Sequence, residues 1–509
     1  MLLLLLLLLL LLLLRLLLRL LLRALLVLFF DFSKMCIGLA LLLLCSATAQ
    51  LSVDFSSPPL RSDYVGVSAV RHGFDYFPEE TSRGLNDSLR ELSYQRLSAS
   101  RLSYARSWYA SEWVMPSGWG GGLDFHTPRF EAFATWVQDM QVRNISVVWN
   151  AGWWFTQATC GAGLPGNCTP TNASLQVYYE WISETARELV VTRGLTNAAT
   201  LLVFTEPLDY ASGLLPAGYT QDSFYALVVR GLHAYMTAAG TRSLVRLQGP
   251  NGVNLNGLAF AAANLNDVLD VYSCHDYSLG GYANWLAKFT AGAALTRGTG
   301  KPLWVDEGGL NGEALRNASD YGTYLSLWQA AAMNAGVSNT FVWLWQDQYY
   351  VWPLENSTNG DSFQNGLHRW GLQFWLPDSV AVRPAYYAHS ILTRFLRAPQ
   401  GAAHAASVPV AGVSPGGTVG AAITGTLAAG RPEYRAVLVI NEGQAAADVT
   451  VDLSSSGAQT FFRYLYDPAH TPTDALPVQP SATVQGPVHT ITDTLPARAF
   501  VVWATAWEA

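Results

Sequence analysis

Between Asp63 and Arg397, short runs of β-branched and aromatic residues alternate with longer stretches in which apolar residues recur every three or four positions. Apolar runs of that length predict buried strands, and the three-to-four spacing predicts amphipathic helices, so the segment reads as repeated β/α units. Eight strands are predicted: Tyr64 to Val70 (YVGVSAV), Leu102 to Trp108 (LSYARSW), Ile145 to Ala151 (ISVVWNA), Leu201 to Pro207 (LLVFTEP), Leu244 to Pro250 (LVRLQGP), Val268 to Tyr277 (VLDVYSCHDY), Pro302 to Gly308 (PLWVDEG) and Thr340 to Gln346 (TFVWLWQ). Helices are predicted between them, among others over Tyr178 to Thr192 and Gly322 to Ala335. Eight parallel strands are the number of a closed (β/α)8 TIM barrel. The competing open, doubly wound sheet requires a Gly-rich phosphate loop that opens a helix. The stretch GAGLPG, Gly161 to Gly166, has the spacing but lies between two cysteines and carries proline where the helix must begin.

Beyond Arg397 the helical periodicity stops and Gly, Ala, Val, Thr and Pro take over. Arg435 to Ile440, Ala447 to Leu453, Phe461 to Tyr466 and Arg498 to Ala504 read as short strands between turn signals, which predicts a C-terminal antiparallel β-sandwich. The expected organisation is a leader over residues 1–49, a barrel over 50–397 and a sandwich over 398–509. No repeat of solenoid period is present.

The N-terminus is a low-complexity leucine tract followed by a second start-like methionine, Met35. With Lys34 just ahead of it, an apolar run from Ile37 to Leu44 and the small residues Ala47 and Ala49 before Gln50 form a signal-peptide pattern. The leucine tract is long enough to span a membrane, but Arg15, Arg19 and Arg23 would each cost about 2.5–3.5 kcal/mol near a helix centre. A cleaved leader and a secreted protein are the expectation, with a retained membrane anchor as the alternative. Export also agrees with N-x-S/T acceptors at Asn86, Asn144, Asn167, Asn172, Asn317 and Asn356, the mark of a glycoprotein. In such a compartment CGAGLPGNC suits a Cys160 to Cys168 disulfide, whereas Cys274, inside an apolar strand, reads as a buried free thiol.

Charge narrows the partners. The net charge is −7 and the folded part has no dense basic patch, which excludes nucleic acid as the ligand. Aromatics reach 12% with 18 Trp against only 13% charged residues, enough to fill a large core and still offer rings to a neutral ligand.

A β/α barrel builds its site at the C-terminal ends of its strands. Glu206 ends the fourth predicted strand and Glu307 the seventh, which face each other across the mouth. Two such carboxylates are what glycoside hydrolysis needs: one donates a proton to the leaving oxygen, and the other attacks or supports the anomeric carbon. Taken singly, either glutamate suits a strand-end salt bridge equally well. Asp306 is the rival of Glu307, and strand alternation should turn the two in opposite directions, with Glu307 toward the mouth.

FTEP on strand four, HDY (His275 to Tyr277) on strand six, WVDEGG (Trp304 to Gly309) on strand seven and VWLW (Val342 to Trp345) on strand eight resemble the clan A retaining glycoside hydrolases, the four/seven superfamily. The likeness covers most of Asp63 to Arg397, and a trailing sandwich is common in that clan. It implies Glu206 as acid/base, Glu307 as nucleophile, Tyr277 as the phenol bonded to the nucleophile and Arg106 as its supporting arginine. Trp343 or Trp345 would floor the reacting-sugar subsite, and His275 would position its neighbours. One position departs from the clan: Thr205 stands where asparagine usually precedes the acid/base and holds the sugar 2-hydroxyl. Threonine still offers one donor and an acceptor.

Two other hydrolytic readings fail on chemistry. GVSPG, Gly412 to Gly416, satisfies the serine-hydrolase pattern, yet Pro415 has no N–H to give an oxyanion hole. No zinc signature occurs, so neither metal nor cofactor is implied. Trp108, Trp113, Trp119, Trp153, Trp154 and Tyr349 fall on predicted upper loops, where rings stack on sugar faces. The expected function is β-glycoside hydrolysis of a polysaccharide or its oligosaccharides by a secreted monomer, and the alternative is a carbohydrate-binding barrel without catalysis.

Overall fold

The computed structural model describes residues 48–152, 169–208, 215–310, 313–349, 363–364, 367–397, 405–425, 433–454 and 460–505. Eight parallel strands form a closed barrel in chain order: β1 (Gly66–Val70), β2 (Tyr104–Tyr109), β3 (Ser146–Ala151), β4 (Thr200–Leu202), β5 (Arg246–Val253), β6 (Val271–Asp276), β7 (Leu303–Gly308) and β8 (Asn339–Val342). Closure occurs where Asn339 of β8 pairs with Gly66 of β1 on one side and Trp304 of β7 on the other. Every residue of β1, β6, β7 and β8 is buried. Strands covered on both faces lose alternation and read as apolar runs, which is why all eight were visible in the sequence.

Helices pack around the barrel and start where the chain supplies caps. Thr127 accepts from Phe130 N ahead of Pro128–Val142, while Thr171 and Thr220 form capping boxes at Asn172–Arg187 and Gln221–Ala238. The helix predicted over Tyr178 to Thr192 ends at Arg187 and continues as a π-turn, Glu188–Thr192. The one predicted from Gly322 runs Tyr321–Ala335.

The sandwich uses both ends of the described chain. Its larger sheet orders Arg61–Tyr64, Ala405–Val408, Thr418–Gly425, Tyr434–Asn441, Phe500–Thr505, Phe461–Tyr466 and Ala482–Val484; the smaller orders Val410–Ala411, Ala49–Asp54, Ala447–Ser454 and Thr490–Leu495. Residues 49–54 and 61–64 therefore lie in sandwich sheets although they precede the barrel strands. In Ala49–Asp54, Leu51 and Val53 are fully buried and alternate with exposed or half-buried neighbours.

Barrel and sandwich share one hydrophobic core. The Tyr434 hydroxyl donates to Phe395 O at 2.6 Å, Phe395 stacks on Tyr464 at 3.9 Å, and Tyr466 donates to Ser319 O at 2.5 Å. A Cβ at Gly322 would lie 2.4 Å from the Tyr466 ring, so glycine is what lets the two surfaces close. Truncation after Arg397 would uncover this apolar face and leave Ala49–Asp54 without its partner strands. The truncated chain is expected to be less soluble and to melt below the full chain by calorimetry. Equal melting temperatures would refute a shared core.

Candidate active site

The site is built at the ends of β2, β4, β6 and β7. Strand pairing of β4 stops at Leu202, and the chain then turns so that Glu206 adopts φ 50°, a left-handed conformation uncommon for a residue with a Cβ. The turn is held from β5: Glu206 N donates to Asn251 O at 3.1 Å and to Asn251 Oδ1 at 3.2 Å. The Glu206 side chain is thereby left 14% exposed at the barrel mouth.

Glu307 ends β7 and is 5% exposed. Its Oε1 lies 2.7 Å from Arg106 Nη1, and its Oε2 accepts from the Tyr277 hydroxyl at 2.8 Å. Burial raises the phenol pKa well above its ordinary value, and the neighbouring Glu307 raises it further, which keeps Tyr277 protonated as the donor to Glu307.

His275 joins the two glutamates. Its Nδ1 is 2.8 Å from Glu206 Oε1 and 3.3 Å from Glu307 Oε2, while Nε2 is 3.5 Å from Arg106 Nη1. Burial disfavours the imidazolium, but Glu307, Glu206 and Asp306 outweigh it and raise the His275 pKa. Donor atoms of Glu206, His275 and Glu307 lie within 4.8 Å of one another, a distance at which three ligands can share a cation. The Arg106 guanidinium already occupies Glu307, and a second cation beside it would be repelled.

Thr205 is buried, and its hydroxyl oxygen accepts from Arg106 Nη2 at 3.0 Å and from Asn150 Nδ2. Both acceptor positions are thus taken by protein donors, which leaves the hydroxyl proton as the group Thr205 can still donate.

The two strand-eight tryptophans separate. Trp343, 5% exposed, sits against His72 (5.5 Å), Trp108 (5.8 Å) and His368 (5.7 Å). Trp345 is fully buried and packs on Tyr386 and His389 of the helix Pro384–Phe395, outside this group. Trp113 is likewise core, packed on Phe74, Phe77 and Tyr109. Trp108 lies within β2 rather than on a loop, Trp119 packs on Trp181 and Tyr349 on Trp375; Trp153, Trp154, Cys160 and Cys168 lie outside the described residues, and the predicted disulfide with them. Cys274 is a buried free thiol whose pKa burial pushes far up, as expected of an inert core cysteine.

One expectation is corrected. Asp306 and Glu307 do not point to opposite faces: Asp306 Oδ2 accepts from Gln248 Nε2 at 2.5 Å and Asn251 Nδ2 at 2.6 Å, both across the barrel interior on β5. The reason is a bulge. Val305 pairs with Cys274 and Glu307 with His275, so Asp306 is an extra residue in β7 and the period of two is broken there. Sequence reasoning also missed His72 and His368, whose rings extend the Trp343 wall. Burial lowers both pKa values and keeps them neutral. Their only signal was position, with His72 two residues beyond β1.

No protein-family model matches the chain, and no curated protein matches it in sequence. Solved structures do match. The xylanase Xyn30A of glycoside hydrolase family 30 subfamily 8 from Clostridium acetobutylicum is 14% identical, with 90% of this chain and 100% of that chain covered at a TM-score of 0.62. The catalytic domain of xylanase C, a GH30 enzyme from Talaromyces cellulolyticus, is 16% identical over 90% of this chain and 100% of its own, also at 0.62. The GH39 enzyme from Xanthomonas axonopodis pv. citri is 13% identical over 90% and 97%, at 0.59. This chain shares with these structures, along nearly their whole length, the fold of a closed eight-stranded barrel carrying a β-sandwich.

Proposed function

We propose that the protein is a secreted, retaining β-glycoside hydrolase that acts on a polysaccharide or its oligosaccharides. The observation that carries this reading is the pair Glu206 and Glu307, both in contact with His275 and with oxygen atoms within 4.8 Å of each other. Retention uses carboxyl groups about 5–5.5 Å apart, whereas inversion needs about 6.5–9.5 Å to admit a water between carboxylate and sugar. The short span supports the retaining reading.

In the first step Glu307 attacks the anomeric carbon while Glu206 gives its proton to the leaving oxygen. In the second, water attacks the glycosyl-enzyme and Glu206 takes back a proton. Arg106 and Tyr277 hold the Glu307 oxygens during attack. Trp343 forms the floor under the reacting sugar, and the Thr205 hydroxyl donates to the sugar where the clan uses asparagine. The domain division at about residue 397, cleavage before Gln50 and glycosylation belong to the same reading; Asn86, Asn144, Asn172 and Asn317 are all exposed. Among the described residues no helix is long and apolar enough to cross a membrane, and the leucine tract lies outside them.

Thr205 also favours a second reading, a sugar-binding barrel that has lost catalysis, because its oxygen is engaged by two protein donors. One experiment separates the two. Purified protein is incubated with aryl β-glycosides and with polysaccharides including xylan, the substrate class named for the family 30 neighbours, and the first-formed sugar is followed by proton NMR. Hydrolysis with the β-anomer appearing first is expected. An α-anomer first would refute the roles given to both glutamates, and binding without turnover would establish the second reading.

A further inference from the structure

The mechanism above leaves one fully buried carboxylate at the site unused. Asp306 is 0% exposed, deeper in the barrel than Glu307, and the β7 bulge turns it toward β5. Two side-chain amides converge on its Oδ2, Nε2 of Gln248 and Nδ2 of Asn251. Its other oxygen is 3.8 Å from His275 Nε2, and Arg106 Nη1 is 3.9 Å from Oδ2. Burial raises its pKa, with Arg106 and His275 pulling it down and Glu307 pushing it up. Because both amides meet at Oδ2, that oxygen remains an acceptor whether or not Oδ1 carries a proton.

Asn251 is the link to the acid/base. It too has positive φ, 59°, and its carbonyl oxygens, main-chain and side-chain, both accept from Glu206 N. An amide has two ends that differ only in hydrogen bonding. Since Asp306 Oδ2 can only accept, it takes the NH2 end of Asn251 and leaves Oδ1 facing Glu206 N. A donor at position 306 would permit the reverse orientation, which sets NH2 against N–H and removes one of the two bonds holding the Glu206 turn.

We propose that Asp306 is a positioning residue for the acid/base: by orienting the Asn251 amide it holds the backbone of Glu206 in the left-handed turn that aims the carboxyl at the leaving oxygen. This rests on the assignment of Glu206 as acid/base made above. Glycosylation of Glu307 by a substrate with a good leaving group needs little proton donation, so loss of aim has a selective signature. A misaimed catalytic group costs about 10²-fold where it is required and little where it is not.

The test compares Asp306→Asn, near-isosteric and able to donate, with Asn251→Gly, which keeps the positive φ and all charges while removing the amide. Each is assayed on dinitrophenyl and alkyl β-glycosides beside Glu206→Ala, with thermal melting as the check of folding. Both variants are expected to lose about 10²-fold in kcat/KM on the alkyl glycoside and to stay near wild type on the dinitrophenyl one. The double variant should be no worse than Asn251→Gly alone. Equal losses on both substrates, or none on either, while Glu206→Ala shows the split, overturn the wiring and leave the acid/base assignment standing. If Glu206→Ala itself shows no split, the assignment fails and the inference falls with it. Should Asp306→Asn not fold, Asn251→Gly decides alone.

Discussion

A Glu307→Gln enzyme is expected to turn over no glycoside at a useful rate, with kcat/KM down by about 10⁴-fold or more whatever the leaving group. The loss corresponds to about 5 kcal/mol of transition-state stabilisation. The amide matches the carboxylate in shape and still offers an oxygen to Arg106, which stands 2.7 Å from Oε1, so the barrel should fold. It cannot attack the anomeric carbon, and among the described residues the other two carboxylates of the site do not replace it: Glu206 is assigned to the leaving-group side of the bond in the proposed mechanism, and Asp306 lies fully buried. Azide should not restore the rate, because no glycosyl-enzyme forms for it to intercept. Steady-state kinetics on one activated and one unactivated substrate, with a melting curve, provides the check. Turnover within tenfold of wild type would remove Glu307 from the nucleophile's place.

Glu206→Ala should behave differently in kind. Without its general acid the enzyme is expected to lose about 10²–10⁴-fold on alkyl glycosides and much less on dinitrophenyl glycosides, whose leaving groups depart without a proton. The glycosyl-enzyme should then accumulate, since the same residue activates the water of the second step. Added azide, an anion that needs no base, should restore rate and yield the β-glycosyl azide. His275 sharpens the expectation. It touches both glutamates, and its raised pKa reflects their charge, so removing Glu206 takes away part of what raises it. The His275 titration followed by NMR should move to lower pH in Glu206→Ala. An unchanged titration, or an azide product of α-configuration, would contradict the arrangement.

Much of this protein was legible along the chain because its barrel strands are buried on both faces. All eight predicted strands are present, four of them within two residues at both ends, with Glu206 four residues past β4 and Glu307 next to the last residue of β7. The β-rich C-terminal segment was legible from its β-branched and aromatic runs between turn signals: Phe461–Tyr466 was read to the residue.

Tertiary structure decided what depends on partners distant in sequence. Leu51 and Val53 alternate as a strand should, but their neighbours in the sheet are Val410–Ala411 and Ala447–Ser454, so no local pattern assigns them to the sandwich. The alternation rule that separated Asp306 from Glu307 failed because a bulge is a mismatch between two strands, a property neither has alone. The same rule puts Trp343 and Trp345 on one face, yet β8 ends at Val342, and past it only contacts with His72, Trp108 and the helix Pro384–Phe395 determine where each ring goes. Thr205 is the plainest case. Its residue type was visible from the start, but what its hydroxyl can still donate was set by Arg106 and Asn150 on two other strands, because a hydrogen-bonding group is defined by the partners it has already taken.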